Sequence, residues 1–212
     1  MKPDLVVILG DFVFEDDADA FYLEPLRDLT ARVPTVAVLG NHDYDLAEKD
    51  ALDDELAEKI NEERASLVAD VLKAAGVKVL VNDIEEIKIN EKKFILAGID
   101  ELLTGRATII PSLVGRDEKI PVIVLTHNPD FVLLPEKSLA DLVLAAHTHG
   151  GQIRLPWFGP VPKLPTTLGR EYDQGYFEYR GTPLIITRGV SESGPRARLF
   201  APPEIMVVNV SL

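Results

Sequence analysis

Residues 142–151 read LVLAAHTHGG, a short apolar run that ends in two histidines. Three similar apolar runs occur, at residues 5–9, 36–39 and 122–125, and each also ends in polar residues. Continuous apolar runs of this length are typical of strands that are covered on both faces. The pattern predicts an α/β protein in which the residues after these strands meet at one edge of a sheet, where ligands bind in such folds.

The polar residues that follow the four runs are potential metal ligands. All four histidines lie within residues 40–43, 126–129 and 146–151. Because histidine is costly to bury unless it is hydrogen-bonded or ligated, this concentration after apolar runs indicates a metal site. A mixed set of oxygen and imidazole ligands suits Mn²⁺, Fe, Zn²⁺ or Co²⁺ better than Ca²⁺ or Mg²⁺, and a chain without cysteine has no thiolate ligand. The predicted ligands are Asp11, Asn41, His127, His147 and His149.

Each of these residues, taken alone, has an ordinary structural explanation. Gly10-Asp11 and Gly40-Asn41 are common at turns and helix caps, and a lone His127 is more often a hydrogen-bonded imidazole than a ligand. His147 and His149 would share one face of a strand by geometry alone. The order of all these motifs, each at the end of a strand, favours the metal site.

The motifs together resemble those of the calcineurin-like metallophosphoesterase superfamily, which run D-x-H, G-D, G-N-H-D/E, a lone His and G-H-x-H. Gly10-Asp11, residues 40–43, His127 and residues 147–149 match in this order. Residues 126–130 and 147–156 are similar to the bacterial branch described as membrane-associated or lipid-directed. The resemblance implies one domain, residues 1–212, with an αββα sandwich of two mixed sheets that lacks the first strand and helix.

The sequence departs from the superfamily in two places. The D-x-H motif belongs one βα unit before the G-D motif, a distance of about 30 residues, but only nine residues precede Gly10. Ala146 also stands where the family usually has glycine, a minor change unless the backbone needs a positive φ there. We therefore expect an N-terminally truncated member that lacks the aspartate and histidine of the first motif.

Roles for the ligands follow from the resemblance. Asp11 would bridge two metal ions, and Asn41, His127 and His147 would complete one position. His149 would serve the second position with Asp11, but its two other ligands are missing. We expect one complete position, with Mn²⁺ as the expected ion and Fe, Zn²⁺ or Co²⁺ as alternatives.

The reaction implied is hydrolysis of a phosphomonoester or phosphodiester by a metal-activated water, impaired by the incomplete position. The resemblance places His42 beside the leaving group as a general acid, with Asp43 orienting its ring. Asp43 would otherwise be a turn or cap carboxylate. The alternative function is a non-catalytic relative that binds metal as a structural or partner-binding module.

Composition limits the partners. A net charge of −13 argues against nucleic acid, which is bound by clustered lysine and arginine. We expect a small phosphoester substrate, with lipids among the candidates. Five arginines of the C-terminal half are candidates to bind its phosphate, although surface solvation is the favoured role for each: Arg154, Arg170, Arg188, Arg196 and Arg198.

Membrane contact is not indicated. No apolar stretch approaches the roughly 20 residues of a membrane span, so the chain is expected to be cytoplasmic or peripheral at a membrane, with an upstream signal left open. Trp157-Phe158 are interpreted as covering the core beneath a long loop, with contact to an acyl chain or lipid interface as the alternative. Loss of a strand would expose the edge near residues 5–9, which predicts self-association or rearrangement there.

The remaining pattern predicts the other elements. Residues 19–30 and 51–75 have helical patterns, the second ending at Gly76. Residues 84–89 and 94–97 form a predicted hairpin, as do residues 176–179 and 184–187. Residues 205–210 are predicted to form a final strand.

Overall fold

The computed structural model describes residues 2–14, 20–47, 59–108, 113, 117–194 and 196–211. The strands are β1 (Val6–Leu9), β2 (Thr35–Val38), β3 (Lys78–Val79), β4 (Asp83–Ile89), β5 (Lys92–Gly98), β6 (Val122–Leu125), β7 (Leu142–Ala145), β8 (Arg154–Leu155), β9 (Gly159–Pro160), β10 (Gly175–Tyr179) and β11 (Thr182–Ile186). The α-helices are α1 (Leu26–Thr30) and α2 (Glu62–Ala74). The 3-10 helices are Ala20–Leu23, Asn41–Tyr44, Leu102–Thr104, Pro129–Leu133, Pro135–Leu139 and His149–Gly151. No helix in the described ranges has the length and apolar character needed to cross a membrane.

The strands form two main sheets, which confirms the predicted α/β class. The first sheet has the order β1-β2-β3, and its described strands are all parallel. The second has the order β10-β11-β7-β6-β5-β4, in which the four central strands are parallel and the two outer strands antiparallel. Strands β8 and β9 form a separate two-stranded ribbon.

The two sheets pack face to face. Val38 of β2 is buried in one cluster with Leu96 of β5 and Leu125 of β6. On the outer face of the first sheet, Leu72 of α2 packs in a cluster with Ala37 of β2. This packing buries both faces of β2, which explains its continuous apolar sequence.

Short 3-10 helices cover the outer face of the second sheet in the described part of the chain. The 3-10 helices Pro129–Leu133 and Pro135–Leu139 lie there in the described part of the chain, and Phe131 and Val132 are buried against β6 and β7. Each of these helices begins at a proline. Because proline has no N–H to donate, it cannot continue a helix that precedes it, and the segment forms two short helices instead of one long helix.

The predicted helices are found in shorter form. In place of one helix over residues 19–30, the structure has a 3-10 helix, Ala20–Leu23, and then α1; Asp19 lies outside the described residues. For the helix predicted over residues 51–75, residues 51–58 lie outside the described ranges and α2 is confirmed. The side chain of Asn61 caps α2 by accepting a hydrogen bond from the Arg64 N–H at 3.0 Å. Gly76, with φ +86°, follows its C-terminal end.

Both predicted hairpins are confirmed, with tighter turns than the sequence suggested. Two residues connect the strands in each, Asn90-Glu91 between β4 and β5 and Arg180-Gly181 between β10 and β11. All four turn residues have positive φ. This conformation matches the twist of the flanking strands, so the strand pairing continues up to the turn.

The predicted strand over residues 205–210 is wrong. This segment pairs with no described strand, and the side chains of Ile205 and Val207 are 86% and 54% exposed. A β-prone sequence forms a strand only when a partner edge satisfies its backbone groups. The outer edge of β1 is also unpaired among the described strands, and β1 is only half-buried whereas β2 is fully buried.

Candidate metal centre

The centre begins where the loops after β1 and β2 touch. Gly10 has φ +86°, and a Cβ at this position would lie 2.5 Å from the backbone nitrogen of Gly40. A Cβ on Gly40 would collide with Oδ1 of Asp11. The two glycines are therefore required by the close approach of these loops, which brings Asp11 beside Asn41.

Three of the predicted ligands form one buried cluster. Nε2 of His127 lies 3.1 Å from Oδ2 of Asp11 and 3.0 Å from Nδ1 of His147. One ligand atom from each residue lies within 4.8 Å of the others. Nδ1 of His127 lies 2.5 Å from the carbonyl oxygen of Leu9 and donates to it, which turns Nε2 towards the cluster.

The spacing of these atoms fits a divalent ion. Ligand atoms at about 2.1 Å from an octahedral ion, at right angles to each other, are about 3.0 Å apart. A carboxylate oxygen and two imidazole nitrogens that converge on one point need a cation between them. The donor set of Asp11, His127 and His147 provides such a site.

Two further predicted ligands have unpaired atoms nearby. Oδ1 of Asn41 and Nδ1 of His149 are buried and have no hydrogen-bond partner in the described part of the chain. The Asn41 amide nitrogen donates to the carbonyl oxygen of Leu46 at 2.6 Å, which fixes the orientation of the side chain. Buried polar atoms without partners are costly, so both are suited to coordinate a cation.

The backbone of the ligand residues is strained. Asp11, His147 and His149 have φ values of 58°, 66° and 52°, a left-handed conformation that costs on the order of 1 kcal/mol or more for a residue with a side chain. Ala146 is not among the left-handed residues, so its replacement of the usual glycine is a minor change.

Side chains hold the loop of residues 147–151 in this conformation. The Thr148 hydroxyl donates to the carbonyl oxygen of Asp173 at 2.6 Å. Arg198 donates to the carbonyl oxygen of His149 at 3.2 Å, and Arg154 donates to that of Gly150 at 3.0 Å. The surface-solvation role favoured for Arg154 and Arg198 is therefore wrong, because both guanidinium groups bind this loop.

The electrostatics of the cluster give each group a distinct charge state. Burial opposes ionisation of Asp11, but the charge of His127, its hydrogen bond and the charges of His42 and His147 together hold the pKa of Asp11 well below its usual range. Burial likewise opposes protonation of His127, but the charge and hydrogen bond of Asp11, with Glu101 and the Leu9 carbonyl, together raise the pKa of His127 to about 10. Burial and the charge of His127 lower the pKa of His147. Without an ion, a proton on His127 therefore neutralises the carboxylate.

His149 differs from His127 in its surroundings. Burial lowers the pKa of His149 to about 4, although the charge of Asp11 opposes this shift. The imidazole is therefore neutral around pH 7, the form that ligates metals.

Asp43 connects the two loops. Its Oδ2 accepts from the amides of Gly40 and Asp11 at 2.8 and 3.0 Å, and its Oδ1 accepts from Phe12 and Val13 at 2.8 and 3.3 Å. Burial and the charge of Asp11 raise its pKa to about 7. These contacts support the interpretation of Asp43 as a turn carboxylate, and its catalytic role stays a proposal.

His42 lies at the edge of the cluster. It is half-buried, its ring packs edge-on against Phe14 with centroids 4.6 Å apart, and its backbone N–H donates to Oδ1 of Asp11 at 3.1 Å. No hydrogen bond between its ring and Asp43 is present among the described residues. The structure thus places His42 beside a predicted ligand and partly open to solvent.

Glu101 was not predicted as part of this region. Its side chain is fully buried, Oε2 has no partner in the described ranges, and burial raises its pKa to about 7. The signal in the sequence is an acidic pair, Asp100-Glu101, which follows β5 after Ile99. It resembles the other strand ends but contains neither glycine nor histidine.

The interpretation of Trp157 and Phe158 as core residues is wrong. Both are at the turn between β8 and β9, and Trp157 is fully exposed. The turn is only three residues long, too short for its tip to fold back onto the core.

A buried cluster of oxygen and imidazole ligands, at the carboxyl ends of strands in a two-sheet α/β sandwich, defines a metal-dependent protein. The family model described as Calcineurin-like phosphoesterase matches residues 1–151, which contain all five predicted ligands. The chain belongs to this family, and it is therefore a hydrolase of the phosphoesterase class.

Known relatives agree with this assignment. The chain is 31% identical over 211 residues to Phosphodiesterase YaeI of Escherichia coli (strain K12), covering 99% of this chain and 71% of the relative. It is 28% identical over 213 residues to Uncharacterized metallophosphoesterase YkuE of Bacillus subtilis (strain 168), covering 99% and 68%. It is 23% identical over 249 residues to UDP-2,3-diacylglucosamine pyrophosphatase LpxG of Chlamydia muridarum (strain MoPn / Nigg), covering 99% and 74%.

Proposed function

We propose that this chain hydrolyses a small phosphomonoester or phosphodiester at the cluster of Asp11, His127 and His147. The observation that carries the proposal is the convergence of these three groups, with 3.0–3.1 Å between neighbouring ligand atoms. Asn41 would complete this metal position. Mn²⁺ is the expected ion, because the donors are mixed nitrogen and oxygen atoms, with Fe, Zn²⁺ and Co²⁺ as alternatives.

Divalent ions bound here would supply Lewis-acid chemistry, lowering the pKa of water and stabilising charge on phosphate oxygens. The protein groups have separate tasks. Asp43 holds the loop of Asp11 in place through backbone amides. His42, half-buried beside Asp11, would donate a proton to the leaving-group oxygen.

Fewer ligands for the second position are found within residues 1–212. Asp11 and His149 would contribute to it, and the sequence offers no D-x-H motif to complete it. We therefore propose that hydrolysis by this chain is impaired relative to a site with two complete positions.

A lipid phosphoester is one candidate substrate, supported by the similarity to LpxG, whose name describes a diacylglucosamine pyrophosphatase. The net charge of −13 favours a small substrate over a nucleic acid.

The second candidate function is a metal-binding module without catalysis, which the incomplete second position favours. Metal content after dialysis against Mn²⁺ and hydrolysis of p-nitrophenyl phosphate and bis(p-nitrophenyl) phosphate distinguish the two. The proposal expects about one bound ion per chain and Mn²⁺-dependent hydrolysis that His127→Gln abolishes. Glu86→Gln removes an exposed carboxylate and is the matched control. Bound metal with no hydrolysis above that of the His127→Gln variant would establish the non-catalytic function.

A further inference from the structure

Three exposed aromatic side chains lie close together near the metal centre. Trp157 and Phe158 form the turn between β8 and β9, and Phe200 follows Leu199, whose carbonyl oxygen accepts from the Arg154 N–H of β8 at 2.9 Å. Trp157 is fully exposed, and Phe158 and Phe200 are 60% and 63% exposed. We call these three residues the aromatic patch. Contiguous exposed apolar surface of this kind commonly marks a ligand-binding or interaction site.

The aromatic patch lines a cavity of about 610 Å³. This volume falls within the range of about 300–1,000 Å³ that is usual for ligand sites. Leu155, Pro156 and Pro160 complete its apolar wall. The cavity is therefore concave and mainly apolar, as expected for a site that takes hydrocarbon rather than a flat protein surface.

The charged groups of the cavity are balanced. Arg154 forms an ion pair with Asp173. Arg170 lies over the ring of Phe158, 4.1 Å from its centroid, and Glu171 is also part of the lining. Two guanidinium groups and two carboxylates give no net charge, so the cavity does not favour an anionic group of its own. An uncharged chain is the ligand that complements it.

The cavity and the metal centre share a wall. Pro160 lies against Gly151, so closely that a Cβ on Gly151 would collide with the proline ring. Arg154 lines the cavity and also donates to the carbonyl oxygen of Gly150, in the loop that carries His147 and His149. A ligand with its phosphate at the metal centre has an apolar cavity beside it.

We propose that the aromatic patch and its cavity bind the hydrocarbon chain of an amphiphilic phosphoester, which makes such lipids the preferred substrates. The inference rests on the proposed function, since the phosphate of the same molecule would lie at the metal centre. A single lipid molecule is favoured over a bilayer surface, because a chain with a net charge of −13 is repelled by anionic membranes.

Kinetics test the inference directly. We would measure kcat/KM for p-nitrophenyl alkyl phosphodiesters with alkyl chains of two to ten carbons, below their critical micelle concentrations. For the unmodified chain, kcat/KM is expected to rise by up to about fourfold per buried methylene. Trp157→Ala with Phe158→Ala should flatten this rise, so that the variant and the unmodified chain differ least for the two-carbon ester and most for the ten-carbon ester. Tyr22→Ala removes an exposed aromatic that does not line the cavity and should keep the rise.

The two hypotheses fail in different ways. If kcat/KM does not depend on chain length while bis(p-nitrophenyl) phosphate is hydrolysed, the lipid inference is overturned and the proposed function stands. If neither the phosphodiesters nor p-nitrophenyl phosphate, a monoester, is hydrolysed, the proposed function fails, and the binding measurement then decides the inference.

Binding can be measured without catalysis, because Trp157 is the only tryptophan in the sequence. Monomeric dodecylphosphocholine, added to protein in EDTA, is expected to shift the emission to shorter wavelength in a saturable way. Phe158→Ala with Phe200→Ala should weaken this binding at least tenfold. A shift with phosphatidylcholine vesicles but not with the monomer would overturn the inference in favour of a membrane surface. No shift with either would overturn it entirely.

Discussion

Nε2 of His127 lies 3.1 Å from Oδ2 of Asp11, although the two residues follow strands of different sheets. Burial raises the free-energy cost of an isolated charge, so the buried carboxylate of Asp11 is stable beside His127 only when a cation, either a proton or a metal ion, neutralises it. In the protein without metal, that cation is the proton of His127, whose pKa is raised to about 10. A divalent ion must displace this proton, so the same two residues determine metal affinity.

Metal binding is expected to stabilise the fold through this pair. Saturating Mn²⁺ at 100 times its dissociation constant should increase the free energy of unfolding by about 2.7 kcal/mol. His127→Gln should abolish most of the increase, because the ring nitrogen that faces Asp11 is lost. Differential scanning fluorimetry with and without EDTA measures this effect, with Glu86→Gln as the control. An equal Mn²⁺ shift in the His127→Gln variant would show that the ion binds elsewhere.

Gly40 is expected to be essential for metal affinity. A Cβ at this position collides with Oδ1 of Asp11, so Gly40→Ala should displace the carboxylate and weaken Mn²⁺ binding at least tenfold in calorimetry. Gly105→Ala is the control: its φ of 69° makes alanine strained there, but nothing lies near its Cβ. The control should lower stability by about 1 kcal/mol and leave metal affinity unchanged. Equal affinities in both variants would contradict the predicted collision.

The raised pKa of Glu101 predicts that the free energy of unfolding depends on pH. Its pKa is raised to about 7 in the folded protein by burial, from an ordinary value of 4.5. The folded state therefore binds the proton more tightly than the unfolded chain. The stability contributed by the neutral acid is fully present below pH 4.5 and is lost as pH rises through 7.

Replacement of Glu101 by glutamine should remove this loss, because the amide resembles the neutral acid. In EDTA, Glu101→Gln is expected to gain stability over the unmodified chain between pH 5 and 8, by at most about 3 kcal/mol at pH 8. Urea denaturation at several pH values measures the difference. If the free energies of unfolding of the variant and the unmodified chain changed with pH in parallel, Glu101 would not titrate in this range.

His42 as a general acid predicts a dependence on the leaving group. His42→Gln should reduce kcat by 10²–10⁴-fold for esters with alkyl leaving groups, which need a proton, and by much less for p-nitrophenyl esters. Mn²⁺ affinity should be unchanged, because His42 is not among the predicted ligands. Asp43→Asn, in contrast, should lower both stability and Mn²⁺ affinity, since its oxygens hold the loop of Asp11. A uniform loss for both ester classes in His42→Gln would exclude the proton-donor role.

The sequence predicted the strands and ligands because local features mark them. Continuous apolar runs identified β2, β6 and β7, whose burial on both faces leaves little choice of residue. The residues after these runs could be proposed as ligands because their motifs occur in order, each at the end of a strand. Asp11 and His127, which the structure places 3.1 Å apart, were proposed in this way.

Other features depend on packing that local sequence does not specify. Glu101 resembles any surface acid in sequence, and its burial comes from the contact between neighbouring strand ends. Ile205 has a β-prone neighbourhood, but no described strand pairs with it, and its side chain is 86% exposed. Trp157 is large and apolar, which predicts burial, whereas the short turn between β8 and β9 holds it outside.

The outer edge of β1, with which no described strand pairs, predicts self-association. The N–H of Val6 donates to the carbonyl oxygen of Pro34, on the side of β2. The backbone N–H groups of successive strand residues point to opposite sides, so the N–H of Val7 faces the open edge. An edge of this kind can pair with a strand of a second copy. Light scattering coupled to gel filtration is therefore expected to show dimers that increase with concentration. Val7→Pro removes the outward N–H and should give monomers with unchanged circular dichroism. A monodisperse monomer of the unmodified chain at all concentrations would show that the edge does not pair between copies.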